Sequence, residues 1–210
     1  MNKAVAKRAA GVSVIVLMML ASVLPGQAAI TGVTGTQFNL VAREGFVSAP
    51  DGGSIYSWGF ALDTGPMQYP GPTLILNQGD TVTVTLKNEL PQPAGNVSIV
   101  FPGHQVTATG GAAGVMTQEA PPDATTAVTY TFTATNAGTY TYYSGTRSDL
   151  QVEMGLVGAI IVRPTGFDHM NPRAYGHDGT RYHYAHLFLL TEMDPFFNDT
   201  ATTEIYTVET

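Results

Sequence analysis

Tyr69-Pro70-Gly71-Pro72-Thr73-Leu74-Ile75-Leu76-Asn77-Gln78-Gly79-Asp80-Thr81-Val82-Thr83-Val84 decides the fold class. Pro70, Gly71 and Pro72 mark a turn. Thr73-Leu74-Ile75-Leu76 is a short apolar run of the kind a buried strand shows. Gly79-Asp80 marks a corner, and beyond it Thr81-Val82-Thr83-Val84-Thr85-Leu86 alternates polar and apolar, the period of a half-buried strand. Thr129-Tyr130-Thr131-Phe132-Thr133 alternates in the same way. Working outward, strands are expected at residues 37–42, 56–62, 73–76, 81–88, 97–100, 128–134, 138–143 and 156–162. No segment sustains a helical apolar period, which argues against an α/β fold. The pattern predicts an all-β, antiparallel sandwich or barrel. Ile75, Val82, Val84, Tyr130, Phe132 and Ile160 are expected to point inward between its two sheets.

Both ends of the chain need separate treatment. Lys3, Lys7 and Arg8 precede an uncharged apolar stretch from Gly11 to Leu24, and small residues lead to a cut after Ala28. That is the layout of a secretory signal peptide over residues 1–28. The apolar run is shorter than the roughly 20 residues a membrane span needs, so no membrane association is expected after cleavage, and the localisation is periplasmic or secreted. At the other end, Asn198-Asp199-Thr200-Ala201-Thr202-Thr203-Glu204-Ile205-Tyr206-Thr207 reads as a direct translation of a common sequencing-library adapter, AAT GAT ACG GCG ACC ACC GAG ATC TAC AC. Residues 198–210 are therefore expected to be an adapter-derived artefact, to be set aside like a fusion scar.

The formal charge is −7, and removal of Lys3, Lys7 and Arg8 leaves six basic residues against 16 acidic ones, a net charge of −10. No basic run exists to bind nucleic acid. Acidity of this size mainly supports solubility. Cysteine is absent, which excludes a disulfide and also a blue-copper site, whose ligand set includes a cysteine thiolate.

The opening stretch resembles the first cupredoxin domain of multicopper oxidases, and the resemblance covers about residues 69–162. In that family a Ser-Ile-His-Trp-His-Gly type segment supplies the first pair of copper ligands. Here it is Ser98-Ile99-Val100-Phe101-Pro102-Gly103. A second pair follows a Gly-Thr-Tyr-Trp-Tyr type strand. Here Gly138-Thr139-Tyr140-Thr141-Tyr142 leads into Tyr143-Ser144-Gly145. Leu150 to Val162 is close to the family's closing strand. The resemblance implies a Greek-key cupredoxin-like β-sandwich over residues 29–163, a linker over 164–185, and the first strand of a truncated second domain over 186–197. It implies copper in a full-length oxidoreductase that uses oxygen as acceptor, with the missing downstream cupredoxin domains as partners. It also implies that Val100, Pro102, Tyr143 and Gly145 stand at the type 2 and type 3 ligand positions. Val, Pro and Gly side chains offer no donor, and one Tyr cannot hold a cluster. No catalytic, cofactor-binding or metal-ligating residue is therefore assigned within this stretch. Tyr142, Tyr143 and Phe101 are expected to fill the vacated pocket by packing.

His104 lies two residues past the second lost ligand and has no second ligand within sequence reach. A loop histidine bonded to backbone or water is expected there. His183 and His186 have i, i+3 spacing, which suits two ligands on a helix. Here the spacing leads into a strand, where the two face opposite ways. Asp149 and Glu153 read as a solvated edge. No Gly-x-Ser-x-Gly elbow supports a hydrolase. Residues 103–126 read as a long crossing loop.

The function expected is that of an N-terminal structural and interface domain of an exported multicopper-oxidase-like protein, inactive alone. Two rivals stand beside it: a copper-free cupredoxin binding module, and a domain that keeps one copper through His104. The oligomeric state is open, a homo-oligomer included. Amplification of the source DNA without library adapters is expected to give a reading frame that departs from this one after about Phe197. Recovery of residues 198–210 unchanged would show the tail to be encoded.

Overall fold

The structure is a computed structural model that describes residues 30–49 and 52–191. The signal peptide expected over 1–28, the adapter-like tail over 198–210 and residues 192–197 of the expected final strand lie outside the described residues.

Two sheets face each other. The strands of the first are β1 (Val33–Thr34), β4 (Leu74–Asn77), β11 (Val157–Arg163) and β10 (Gly138–Tyr143), in the order β1-β4-β11-β10. The second contains β2 (Gln37–Ser48), β3 (Ser54–Leu62), β5 (Thr81–Asn88), β6 (Val106–Gly110) and β9 (Val128–Thr133), in the order β3-β2-β5-β9-β6. A small hairpin joins β7 (Ala112–Ala113) to β8 (Gln118–Glu119). One short helix, α1 (Ser148–Gln151), precedes β11. The all-β cupredoxin-like sandwich expected from the sequence is the observed fold.

The opening stretch works as read. Gly79 has φ +92° between Gln78 and Asp80, and Asp80 N donates to the Asn77 carbonyl at 3.0 Å. Asp80 Oδ2 accepts from Asn77 N at 2.8 Å, closing the corner from both sides. Gly71 N donates to the Val157 carbonyl at 2.8 Å. A Cβ on Gly71 would lie 3.0 Å from the Tyr142 hydroxyl and 3.1 Å from that carbonyl, so the turn runs too close to β11 for a larger residue.

Inner faces of both sheets build one core: Leu74, Leu76, Ile160 and Tyr142 from the first, Phe38, Leu40, Val82, Val84, Leu86, Tyr130 and Phe132 from the second. Five of the six residues expected there belong to it. Ile75 is the correction. It is buried, yet it points to the opposite face of its sheet, where it lines a cleft with Ile161, Phe167 and Tyr182. The cause is strand alternation: Leu74 and Leu76 take the inner face and Ile75 must take the outer one.

Three further expectations change. The pairing is mixed, because β1–β4, β4–β11 and β2–β5 are parallel. Direction is set by Greek-key crossovers, which local alternation does not encode. Residues 97–100 make only isolated bridges, Val97 to Ala120 and Val100 to Tyr143, because the segment passes between two partners. The expected loop over 103–126 contains β6, paired along β9. Its alternation is half-buried Val106 and Ala108 against exposed Thr107 and Thr109, muted by small side chains.

Residues 164–186 cross the outer face of the first sheet as an irregular strap, with one 3-10 turn at Asp178–Thr180. Thr165 N donates to Gln78 Oε1 at 3.3 Å, tying the strap to the corner before β5. Residues 186–191 belong to no strand, and Phe188 and Leu190 are exposed.

Leu76 is fully buried in the shared core. Leu76→Ala is expected to cost about 2–5 kcal/mol in urea unfolding, through lost transfer energy plus the cavity left behind. A cost below about 1 kcal/mol would place Leu76 outside a packed core.

Candidate functional site

Two segments carry the positions of interest, and the fold brings them together. Val100 N donates to the Tyr143 carbonyl at 2.9 Å, and Tyr143 N returns to the Val100 carbonyl at 3.3 Å. The segment holding Val100 is fixed from behind by Tyr130. That hydroxyl donates to the Gln118 carbonyl at 2.8 Å and accepts from Ile99 N at 3.1 Å. Burial pushes the Tyr130 phenol well above its ordinary pKa, so it remains a neutral donor.

Gly145 completes the cluster. A Cβ there would lie 2.7 Å from Val100 Cγ1, 3.1 Å from Ser98 Oγ and 3.7 Å from Met116 Sδ. The space a side chain would need at residue 145 is taken by Val100. The two positions are complementary in volume: a branched residue at one goes with no side chain at the other.

Pro102 has a different role. His104 N donates to the Phe101 carbonyl at 3.1 Å, and Gly103 has φ +87°. With Pro102 ahead of it, this is the residue pattern of a type II turn. Pro102 is exposed at the turn, and Gly103 packs against Tyr140, whose ring a Cβ would meet at 2.9 Å.

The turn delivers His104 between two aromatic rings, Phe132 at 4.7 Å and Tyr140 at 4.6 Å between centroids. Both ring nitrogens are buried and reach no hydrogen-bond partner among the described residues. This corrects the expected loop histidine bonded to backbone. Burial lowers its pKa below the usual imidazole value, so the ring is neutral near pH 7. His104 sits against Phe132 and Tyr140, whereas the space at Gly145 faces Val100, Ser98 and Met116. The histidine is therefore a packing group of the sandwich edge.

Tyr142 and Phe101 are also placed differently from expectation. Both are buried in the core, where Tyr142 packs on Phe60 and Phe101 on Tyr130 and Phe132. Tyr143 alone lies on the outward side at the Val100 bridge, half-buried. Alternation along β10 sends Tyr140 and Tyr142 inward and Tyr143 outward.

Around the cluster runs a polar network that sequence reading missed. Ser98 Oγ donates to Thr146 Oγ1 at 2.9 Å, and Thr146 Oγ1 donates to Glu119 Oε1 at 2.8 Å. Asn96 Nδ2 donates to Glu119 Oε2 at 3.2 Å. Ser144 Oγ donates to Gln151 Oε1 at 2.5 Å, and Gln151 Nε2 donates to the carbonyls of Ala94 and Asn96 at 3.2 and 2.8 Å. Ser98, Ser144 and Gln151 are buried. These bonds cross-link residues 94–98, β8 and the β10–α1 connection. Their only sequence trace is the clustering of small polar residues at 96, 98, 144 and 146. Ser144 and Gln151 are 7 residues apart, but every other pair lies 23 to 57 residues apart, out of reach of local pattern.

The chemistry of this donor set does not fit copper. Copper takes imidazole, thiolate or comparable donors at fixed geometry. Val100, Pro102 and Gly145 have none, and a ligand cannot be placed at 145 without moving Val100. Among the described residues no group of three or more His, Asp or Glu side chains is placed to hold a metal ion. His183 and His186 are exposed at the end of the strap. His183 lines a cleft with Ile75, whereas His186 lines one with Pro70 and Leu187.

Residues 65–166 match the sequence profile of the family described as multicopper oxidase. The domain is multicopper-oxidase-like. A multicopper oxidase from Talaromyces pinophilus is 36% identical over 99 residues, 46% of this chain and 15% of that protein. Copper resistance protein A from Escherichia coli is 35% identical over 127 residues, 60% of this chain and 19% of that protein. A crystal structure of a multi-copper oxidase from Pseudomonas thermotolerans superposes with a TM-score of 0.52 at 25% identity, over 66% of this chain and 32% of that one. The matched stretch thus spans less than a fifth of either curated relative's length.

The neutral, buried imidazole of His104 has a pH signature. Its folded-state pKa lies below the unfolded value of about 6.5. Unfolded chains therefore bind more protons as pH falls, and stability drops below about pH 6.5 until the folded-state pKa is passed. His104→Phe is expected to flatten that part of the profile in urea titrations from pH 7.5 to 5. An unchanged slope would show that His104 does not titrate differently on folding.

Proposed function

We propose that this is the N-terminal, copper-free structural and interface domain of an exported multicopper-oxidase-like protein. Copper-dependent oxidation of substrate, with oxygen as acceptor, would belong to further cupredoxin domains of the same polypeptide. One observation carries the reading. The scaffold brings Val100, Tyr143 and Gly145 to one place, yet Val100 fills the space at Gly145, and a Glu119–Thr146–Ser98 network braces the surroundings. A domain built this way keeps the architecture that positions a partner while contributing no ligand. The partners are the downstream cupredoxin domains.

Export rests on the Lys3–Arg8 basic region, the uncharged run and the small residues before Ala28. That layout supports export of the mature protein to the periplasm or the medium. Among the described residues no helix is long and apolar enough to cross a membrane.

The test is elemental analysis of the purified chain after copper loading and desalting. Far less than one copper per chain is expected. One tightly held copper per chain, lost in His104→Ala, would replace this reading with a domain that retains a single copper.

A further inference from the structure

A cleft of about 290 Å³ opens between the outer face of the first sheet and the strap. Ile161 forms part of its floor, and Phe167, Tyr175 and Tyr182 supply aromatic walls. Two guanidinium groups line it, Arg163 from the end of β11 and Arg173 from the strap. The Arg163 guanidinium sits over the Phe167 ring at 4.7 Å, and among the described residues no carboxylate stands within ion-pair distance of it. Arg173 gives Nη2 to Asp178 at 2.6 Å, but its Nε is buried with no hydrogen-bond partner among the described residues.

These observations point the same way. A buried guanidinium N–H without an acceptor is costly to a fold, and an unpaired arginine beside it doubles the demand for negative charge. The surrounding chain is acidic, with a formal charge of −7. Beyond residue 30 its Lys and Arg residues are Arg43, Lys87, Arg147, Arg163, Arg173 and Arg181, and half of them are in or beside this strap. Tyr175 is 61% exposed, a large aromatic surface left open beside the cleft. Ligand sites typically combine apolar and aromatic walls with a few placed polar groups. A volume of about 290 Å³ lies just under the usual range of roughly 300–1,000 Å³ for such sites, which limits the ligand to about one ring.

We propose that this cleft binds a small aromatic carboxylate. Its ring would lie against Ile161, Phe167, Tyr175 and Tyr182, and its carboxylate would face the guanidinium groups of Arg163 and Arg173. The planar fork of arginine suits a carboxylate, and stacking adds to the hold on the ring. The inference does not depend on whether the domain holds copper.

Benzoate is the probe, titrated by calorimetry into the full chain, with benzyl alcohol and inorganic phosphate as comparisons. Saturable binding at one site is expected, weakened at least about tenfold by Arg163→Gln and by Arg173→Gln, as loss of a charge-assisted hydrogen bond implies. Benzyl alcohol and phosphate are each expected to bind at least about tenfold more weakly than benzoate, since one lacks the charge and the other the ring. Lys87→Gln, outside the cleft, should leave benzoate binding unchanged. If Arg163→Gln fails to fold, Arg173→Gln, on the exposed strap, decides alone. Three results would each overturn the proposal: no saturable benzoate binding, binding unchanged in the arginine variants, or phosphate binding as tightly as benzoate.

Discussion

The hydroxyl of Tyr142 donates to the Pro72 carbonyl at 2.7 Å, fully inside the molecule. Most of the architecture depends on that contact. The ring lies over Gly158, its partner in the β10–β11 ladder, where any Cβ would strike it at 2.3 Å. Gly71 lets the Pro-Gly-Pro turn approach the same hydroxyl. On its other side the ring meets Phe60 of the second sheet at 5.5 Å. One side chain thus sets the distance between the sheets, the position of the turn and the register that feeds β4. Burial drives the phenol far above its ordinary pKa, so it remains a donor over the whole accessible pH range. An unpaired carbonyl at Pro72 would be the penalty for losing it.

A scaffold held by such contacts packs without help from a metal. The Val100–Tyr143 bridge is backbone pairing and is indifferent to the side chains at those positions. With no imidazole at residue 100 or 145, the constraints on those positions are volume and polar satisfaction. Val100 against Gly145 meets the first, and the Ser98–Thr146–Glu119–Asn96 chain meets the second. Side chains without a metal donor at residues 100 and 145 are therefore compatible with a well-packed domain, so motif and chemistry can part company in one sequence.

Reading the sequence succeeded where one strand determines its own pattern. β5 over Thr81–Asn88 and β10 over Gly138–Tyr143 match their expected bounds, because alternation and flanking turns are local signals. It failed where a partner far along the chain decides. β2 continues to Ser48 through Arg43 and Glu44 because β3 pairs with it to the end. β6 exists because β9 offers an edge. The place of His104 follows from a turn at Pro102-Gly103 that swings the ring onto Phe132 and Tyr140. Residue spacing alone puts it beside Val100 and Pro102. Glu119 carried no signal, and Gln151 little beyond nearby Ser144, since their other partners come from segments tens of residues away.

One contrast in the sequence did encode long-range structure. Leu74-Ile75-Leu76 and Val157 to Val162 are nearly continuous apolar runs, whereas β5 and β9 alternate. Strands covered on both faces read as continuous runs, and strands wet on one face alternate. β4 and β11 are the parallel pair at the centre of the first sheet. Their inner residues enter the core, and their outer ones, Ile75 and Ile161, lie under the strap with Phe167 and Tyr182. Ile75 and Ile161 are therefore the strap's signature in the amino-acid pattern: a single sandwich with water on its outer faces would have no use for them. Residues 164–186 are in this sense part of the domain's packing, and a boundary drawn at Arg163 would strip an apolar sheet face bare.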